Sequence, residues 1–95
     1  MTKEGKITAE MRKLLCETIL NCKTVEDLET LLEDLCTYKE VEQLAQRVAA
    51  AKMLKEKKTY TEIIEKTDIS SATLSRVSRC VQYGSGGYTK FVPEK

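Results

Sequence analysis

Apolar residues recur at helical spacing in three successive segments of the chain. Over residues 9–22, one stripe at i, i+3, i+4, i+7, i+8 and i+11 is formed by Met11, Leu14, Leu15, Thr18, Ile19 and Cys22. A second stripe occupies residues 25–36, and a third consists of Val41, Leu44, Ala45, Val48, Ala51 and Leu54. Because this spacing places side chains on one face of a helix, the pattern predicts three helices with apolar faces directed inward.

Side chains suited to capping mark where these helices, and two more, begin. Thr24 precedes the second stripe and is followed by two acidic residues in the first turn, as is typical of a helix N-terminus. The T-x-x-E spacing of a capping box occurs at residues 37–40 and again at residues 59–62. The second box starts a short fourth helix, and Ser70 caps a fifth over residues 71–82. The sequence therefore predicts an all-α protein of five helices.

One domain in three parts is the organisation that this pattern predicts. Ninety-five residues are too few for two independent cores. Residues 1–58 form a helical dimerisation region, and residues 59–83 form a pair of short helices. Residues 84–95 contain the run Gly-Ser-Gly-Gly, which breaks regular structure, so we expect this last part to be a flexible tail.

Charge is distributed unevenly along the chain. The total of 16 Lys and Arg against 15 Asp and Glu gives a formal net charge of +1. Residues 1–46, however, carry six cations and ten acids, a net of −4, whereas residues 47–95 carry ten cations and five acids, a net of +5. Such asymmetry points to an anionic partner for the C-terminal half.

Residue types that support catalysis or metal binding are scarce. The chain has no histidine, and its four cysteines include no C-x-x-C pair, so we expect free thiols, no metal site and no enzyme activity. The first ten residues lack the apolar segment of a secretion signal, and no stretch approaches the roughly 18 apolar residues of a membrane span. A cytoplasmic location without membrane contact is the expectation.

Residues 60–81 have the arrangement of a helix-turn-helix. A short helix over residues 60–67 is followed by a three-residue turn and a second helix. Asp68 in the turn stands where a positive φ is expected, which aspartate tolerates better than most residues. The contacts that would fix two helices at a steep angle come from five apolar residues: Ile63, Ile64, Ile69, Leu74 and Val77.

The second helix of this motif has a polar face without any acid, formed by Ser71, Ser75, Ser78, Arg79 and Gln82. Hydroxyls and guanidinium groups bind phosphates and base edges, and the N–H groups from Ser70 to Ala72 can meet a phosphate. Lys57 and Lys58 precede the motif and could add phosphate contacts. DNA binding is therefore predicted. One alternative is an ordinary helical hairpin whose polar face is only solvated, and another is a dimeric helical protein-interaction module, without DNA binding, whose helix-turn-helix serves protein contacts.

Several motifs resemble the bacterial Trp repressor family, and specifically its Trp-repressor-like group in Gram-positive bacteria. They include Asp34-Leu35-Cys36-Thr37, Ala45-Gln46-Arg47-Val48, Tyr60-Thr61-Glu62-Ile63, Ser71-Ala72-Thr73-Leu74-Ser75-Arg76 and Tyr83-Gly84-Ser85-Gly86-Gly87-Tyr88. The resemblance implies an all-helical, intertwined homodimer whose two C-terminal helix-turn-helix heads bind double-stranded DNA at a palindromic operator. It implies a transcriptional regulator, and most simply a repressor.

The same resemblance raises the question of a small-molecule effector. The family's tryptophan-binding arginines and threonine match Arg47, Arg76 and Thr37, but the family's glycine and serine are replaced by Val77 and Cys80. A β-branched side chain where the ring should lie, and the loss of a good acceptor, each cost on the order of 1–3 kcal/mol in binding. We therefore expect no bound cofactor and disfavour L-tryptophan. A different small effector could use the edge formed by Thr73, Arg76 and Cys80.

Overall fold

The structure, a computed structural model, describes residues 7–94 and contains six helices there. These are α1 (Ala9–Leu20), α2 (Val25–Leu35), α3 (Tyr38–Lys55), α4 (Tyr60–Thr67), α5 (Ser71–Tyr83) and α6 (Gly87–Phe91). No strand occurs within that range, which confirms the all-α prediction. The first five helices begin where the caps and stripes placed them and end within two residues of expectation; α6 was not predicted.

The chain divides into two compact units, of which the first ends at Thr37 and the second begins at Tyr38. The sequence suggested a boundary after residue 58 instead. The difference arises because α3 packs against α4, α5 and α6 and so belongs structurally with the helix-turn-helix. Within this unit, Ala50 and Ala51 of α3 are completely buried, since their small side chains allow neighbouring helices to approach closely.

Helices α1 and α2 of the N-terminal unit begin at threonine caps. The Thr8 hydroxyl accepts a hydrogen bond from the Met11 N–H, and the Thr24 hydroxyl accepts one from the Asp27 N–H, both at 3.0 Å. The Asp27 carboxylate in turn accepts from the Lys23 N–H at 2.9 Å, and this bond is the main reason why the pKa of Asp27 lies below its ordinary value. Although the two helices are well capped, no residue of either is buried within the chain.

One buried cluster holds the C-terminal unit together. It consists of Ala50, Ala51, Ile63, Ile69, Leu74, Val77 and Val92. The helix-turn-helix contributes four of these side chains, and all four belong to the apolar set predicted from its sequence. Leu44 and Val48, in contrast, remain exposed within the chain, because the buried residues of α3 begin at Ala50.

The glycine-rich segment is not the loose tail that its composition suggested. Residues 87–91 form α6, Val92 is buried in the core, and Tyr88 packs against it. The Lys55 ammonium donates hydrogen bonds to the carbonyls of Thr89 (3.1 Å) and Val92 (3.2 Å). A five-residue helix carries too little periodicity to be detected in the sequence, so only packing reveals it.

Two glycines make it sterically possible for the chain after α5 to fold back so that Val92 reaches the core. A β-carbon on Gly84 would lie 2.5 Å from the Cys80 carbonyl oxygen at the end of α5. Gly86, which precedes α6, has φ of +94°, a left-handed conformation that side chains disfavour. The Gly-Ser-Gly-Gly run therefore makes a specific turn between two packed helices.

Helix α3 ends in a Schellman motif whose left-handed residue is a lysine. The Lys58 N–H donates to the Met53 carbonyl and the Lys57 N–H to the Leu54 carbonyl, both at 3.0 Å, the bonding pattern that usually has glycine at the penultimate position. Lys57 instead adopts φ of +68°. A non-glycine residue in this region costs on the order of 1–2 kcal/mol.

Two substitutions of Lys57 should therefore separate the effect of backbone strain on stability from the effect of the lysine charge. We expect Lys57→Gly to be about 1 kcal/mol more stable than Lys57→Ala, because only glycine relieves the left-handed strain, while both variants lose the same exposed ammonium. Urea unfolding at one protein concentration, followed by circular dichroism, measures the difference. Equal stability of the two variants, or a less stable glycine variant, would contradict this account of the turn.

Candidate nucleic-acid interface

Helix α4, the first of the helix-turn-helix, starts with a complete capping box. The Glu62 N–H donates to the Thr59 hydroxyl at 3.2 Å, and the Thr59 N–H donates to the Glu62 carboxylate at 2.8 Å. This confirms the box predicted from the T-x-x-E spacing. The Thr59 N–H, followed by its hydroxyl, holds the pKa of Glu62 below its ordinary value, so the carboxylate that fixes the start of α4 stays ionised at neutral pH.

The turn between α4 and α5 is fixed by its own side chains. Asp68 adopts the left-handed conformation expected of it, with φ of +63°, and its N–H donates to the Ile64 carbonyl at 2.8 Å. Thr67 contributes a bond that sequence reasoning missed: its hydroxyl donates to the Ile63 carbonyl (2.7 Å) and accepts from the Ile69 N–H (3.2 Å). Ile69, which lies in the turn, is buried in the core cluster. The turn therefore sets the angle at which α5 is presented.

Ser70 caps α5, and its hydroxyl is engaged in doing so. The Ser70 oxygen accepts a hydrogen bond from the Thr73 N–H at 3.1 Å, and the Ser70 O–H donates one to the Thr73 hydroxyl oxygen at 2.9 Å. Of the groups predicted to meet DNA here, the Ser70 side chain is thus used within the protein. Ser71 and Ala72 are exposed in the first turn of α5, at the positive end of the helix dipole.

Burial within α5 shows which side of the helix faces outward. Leu74, Val77 and Ser78 are buried, with Ser78 only 8% exposed. The prediction that Ser78 lies on the outward polar face was therefore wrong. The Ser78 hydroxyl accepts a hydrogen bond from the Gln82 amide at 3.3 Å, so this buried polar group has a partner. Helical periodicity of 100° per residue places Ser78 near the boundary of the predicted polar face.

The remaining members of the predicted face are accessible. Ser71, Ser75 and Arg79 are exposed on α5, and Lys57 and Lys58 are exposed in the preceding turn. No residue of α5 is acidic. These side chains can therefore act as hydrogen-bond donors and cations toward an anionic ligand without competition from a carboxylate on the same helix.

A cleft of about 420 Å³ lies beside the turn, between α3 and the start of α5. It is lined by Lys39, Glu42, Gln43, Gln46, Arg47, Asp68, Ser70 and Thr73. All eight side chains are polar or charged, and both signs of charge are present. The chemistry of the cleft therefore suits a polar ligand better than an apolar ring.

Sequence and structure together place this arrangement in a known family. The family model for the Trp repressor protein matches residues 10–95. The chain belongs to the Trp repressor family. Members of this family are regulators, and the family together with its folds suggests a regulator that binds DNA.

Three proteins from Gram-positive bacteria are similar to this chain. The uncharacterized protein YerC of Bacillus subtilis (strain 168) is 45% identical over 74 residues, which are 78% of this chain and 71% of YerC. A TrpR-like protein from Eubacterium eligens superimposes with a TM-score of 0.80 at 42% identity, over 87% of this chain and 84% of the other. A proposed Trp repressor from Staphylococcus aureus also gives a TM-score of 0.80, at 37% identity over 94% and 88%.

The residues that the Trp repressor family suggests for an effector are only partly brought together. Arg47 and Thr73 line the cleft beside the turn. Arg76 and Cys80 are exposed on α5 and do not line it, while Thr37 is the last residue of the N-terminal unit. Val77, which replaces the family's glycine, is buried in the core of this unit.

Other kinds of site are not found in the part of the chain that the structure describes. Between residues 7 and 94 no group of three cysteine or carboxylate side chains could hold a metal ion. All four cysteines are free; Cys16 and Cys80 are exposed, and Cys22 and Cys36 are half-buried. No helix in the same range is both long and apolar enough to cross a membrane.

Proposed function

We propose that this protein is a sequence-specific DNA-binding transcriptional regulator that acts as a homodimer on a palindromic operator, and that it represses by occluding a promoter. The observation that carries the proposal is the capped, acid-free helix α5, presented by a rigid turn on a buried core. In such motifs the N-terminal residues of the second helix enter the major groove. Ser71, Ala72 and Ser75 occupy that position and are exposed.

Exposed apolar surface supports the dimer. Large apolar side chains on α1, on α2 and on the part of α3 before Ala50 are uncovered within the chain: Met11, Leu14, Leu15, Ile19, Leu20, Val25, Leu35, Leu44 and Val48. Leu14 is 63% and Leu20 79% exposed. Monomeric proteins rarely expose so many apolar residues along amphipathic helices, so a second copy of the chain is the partner that we propose for them. Two heads related by a two-fold axis would enter major grooves about 34 Å apart.

Selection of bound DNA from a random pool tests the proposal directly. We expect the wild-type protein to enrich a palindromic site and to bind it with an affinity that falls steeply as salt rises. Running the selection with and without L-tryptophan should give the same site, because the cleft is polar and Val77 is buried.

Single substitutions should then distinguish residues that contact bases from residues that contact phosphates. Ser71→Ala, Ser75→Ala and Arg79→Ala should weaken binding and relax the sequence preference, whereas Lys57→Ala and Lys58→Ala should weaken binding to all sequences and flatten the salt dependence. Ser85→Ala is the matched control, since Ser85 is exposed outside α5. If all five variants bind like the control, the interface is wrongly assigned. Failure of the wild-type protein to bind any DNA would favour an interaction module instead.

A further inference from the structure

The side of α5 that is exposed in the structure differs from the polar face that helical periodicity predicted. With Leu74, Val77 and Ser78 buried, the side directly opposite is a stripe at i, i+4, i+7 and i+11. It consists of Ala72, Arg76, Arg79 and Tyr83, all exposed, with Tyr83 at 81%. The serines at 71 and 75 lie to one side of this stripe and do not form its centre.

Arg76 lies on this stripe in the second turn of α5. Among residues 7–94, its guanidinium forms neither an ion pair nor a side-chain hydrogen bond. It does not line the cleft beside the turn, although Arg47 and Thr73 do. The guanidinium is therefore exposed and accessible to a ligand.

We propose that Arg76 reads a guanine in the major groove and is a further residue that determines the sequence specificity of this protein. The proposal rests on the DNA-binding function proposed above and assigns Arg76 to the reading face instead of an effector site. It follows from the position of Arg76 in the second turn of α5, on the same stripe as the exposed Ala72 of the first turn.

The chemistry of these two side chains defines what they recognise. A guanidinium donates two parallel hydrogen bonds to O6 and N7 of guanine, the commonest specific contact in the major groove, and an alanine methyl packs against the C5-methyl group of thymine. Four residues of helix separate Ala72 from Arg76, which is about 6 Å along the axis. Because the two side chains are this close on one stripe, each half-site should contain a guanine close to a thymine.

The experiment compares wild type, Arg76→Ala and Arg76→Lys on the DNA that wild type selects. We expect Arg76→Ala to lose affinity for that site by about 10- to 100-fold and to lose its preference for guanine at one position of each half-site. Arg76→Lys keeps the charge but not the planar fork, so it should also lose this preference while retaining its affinity for unrelated DNA. Arg12→Ala, which removes an exposed arginine of α1, is the matched control and should behave like wild type.

Replacing that guanine by 7-deazaguanine removes the N7 acceptor and identifies the partner. The modified site should weaken binding of wild type but not of Arg76→Ala, since the contact is already absent in the variant. Equal weakening in both proteins, or an unchanged guanine preference in Arg76→Lys, would overturn the assignment of Arg76. Absence of any selected site for wild type is a different result, because it removes the DNA-binding function itself.

Discussion

Replacing Leu74 with alanine should lower the free energy of unfolding by about 3 kcal/mol, within the range for removing a buried leucine side chain. Leu74 is completely buried in the cluster that joins α3, α4 and α5. Removal of this side chain leaves a cavity at the point where α5 packs against the core, so the contacts that fix the orientation of α5 are lost. Urea unfolding, monitored at one fixed protein concentration, measures the change, because the stability of a dimer depends on concentration.

Tyr83→Ala is the control for this effect on the same helix. Tyr83 is 81% exposed, so removal of a larger side chain there should change stability by less than about 0.5 kcal/mol. A loss for Leu74→Ala no greater than that for Tyr83→Ala would show that the buried cluster does not hold α5 in place.

Introducing a carboxylate at Leu14 should have the second large effect, on the assembly of the protein. At micromolar concentration we expect wild type to sediment at twice the chain mass of 10.8 kDa. Leu14→Glu should raise the dissociation constant of the dimer at least about 100-fold, because it removes apolar burial and places a charge in an interface. Analytical ultracentrifugation measures both proteins under the same conditions.

Lys13→Glu is the matched control, since it places the same carboxylate on the neighbouring residue. The Lys13 side chain is 77% exposed and pairs with Glu17 at 4.0 Å, an exposed pair worth only about 0.3–0.5 kcal/mol. This variant should remain dimeric. A wild-type protein of 10.8 kDa, or dimerisation of Leu14→Glu equal to that of Lys13→Glu, would contradict the proposed interface.

Local features of the sequence were sufficient to predict five of the six helices. Their starts depend on threonine and serine hydroxyls that bond to backbone groups only three residues away, as at Thr24, Thr59 and Ser70. Their apolar stripes follow from helical geometry alone. The left-handed conformation of Asp68 was predictable for the same reason, because it depends on a turn of a few residues.

The candidate interface was predicted only in part. Its position on α5 followed from the absence of acids, which is a property of the sequence. The direction in which α5 faces did not, and so Ser78 was placed outward although it is buried. A helix of this length has several residues near the boundary of its apolar stripe, and periodicity cannot tell which of them a neighbouring helix covers.

What the sequence by itself determined is therefore the set of helices, their caps, the division of charge and the resemblance to the Trp repressor family. Tertiary structure alone decided that α3 belongs with the helix-turn-helix and that Val92 returns to the core. It also decided that Arg76 stands on the outward stripe of α5. The physical reason is range: caps and stripes arise between residues a few positions apart, whereas burial depends on side chains that are distant in the chain and meet only when the helices pack.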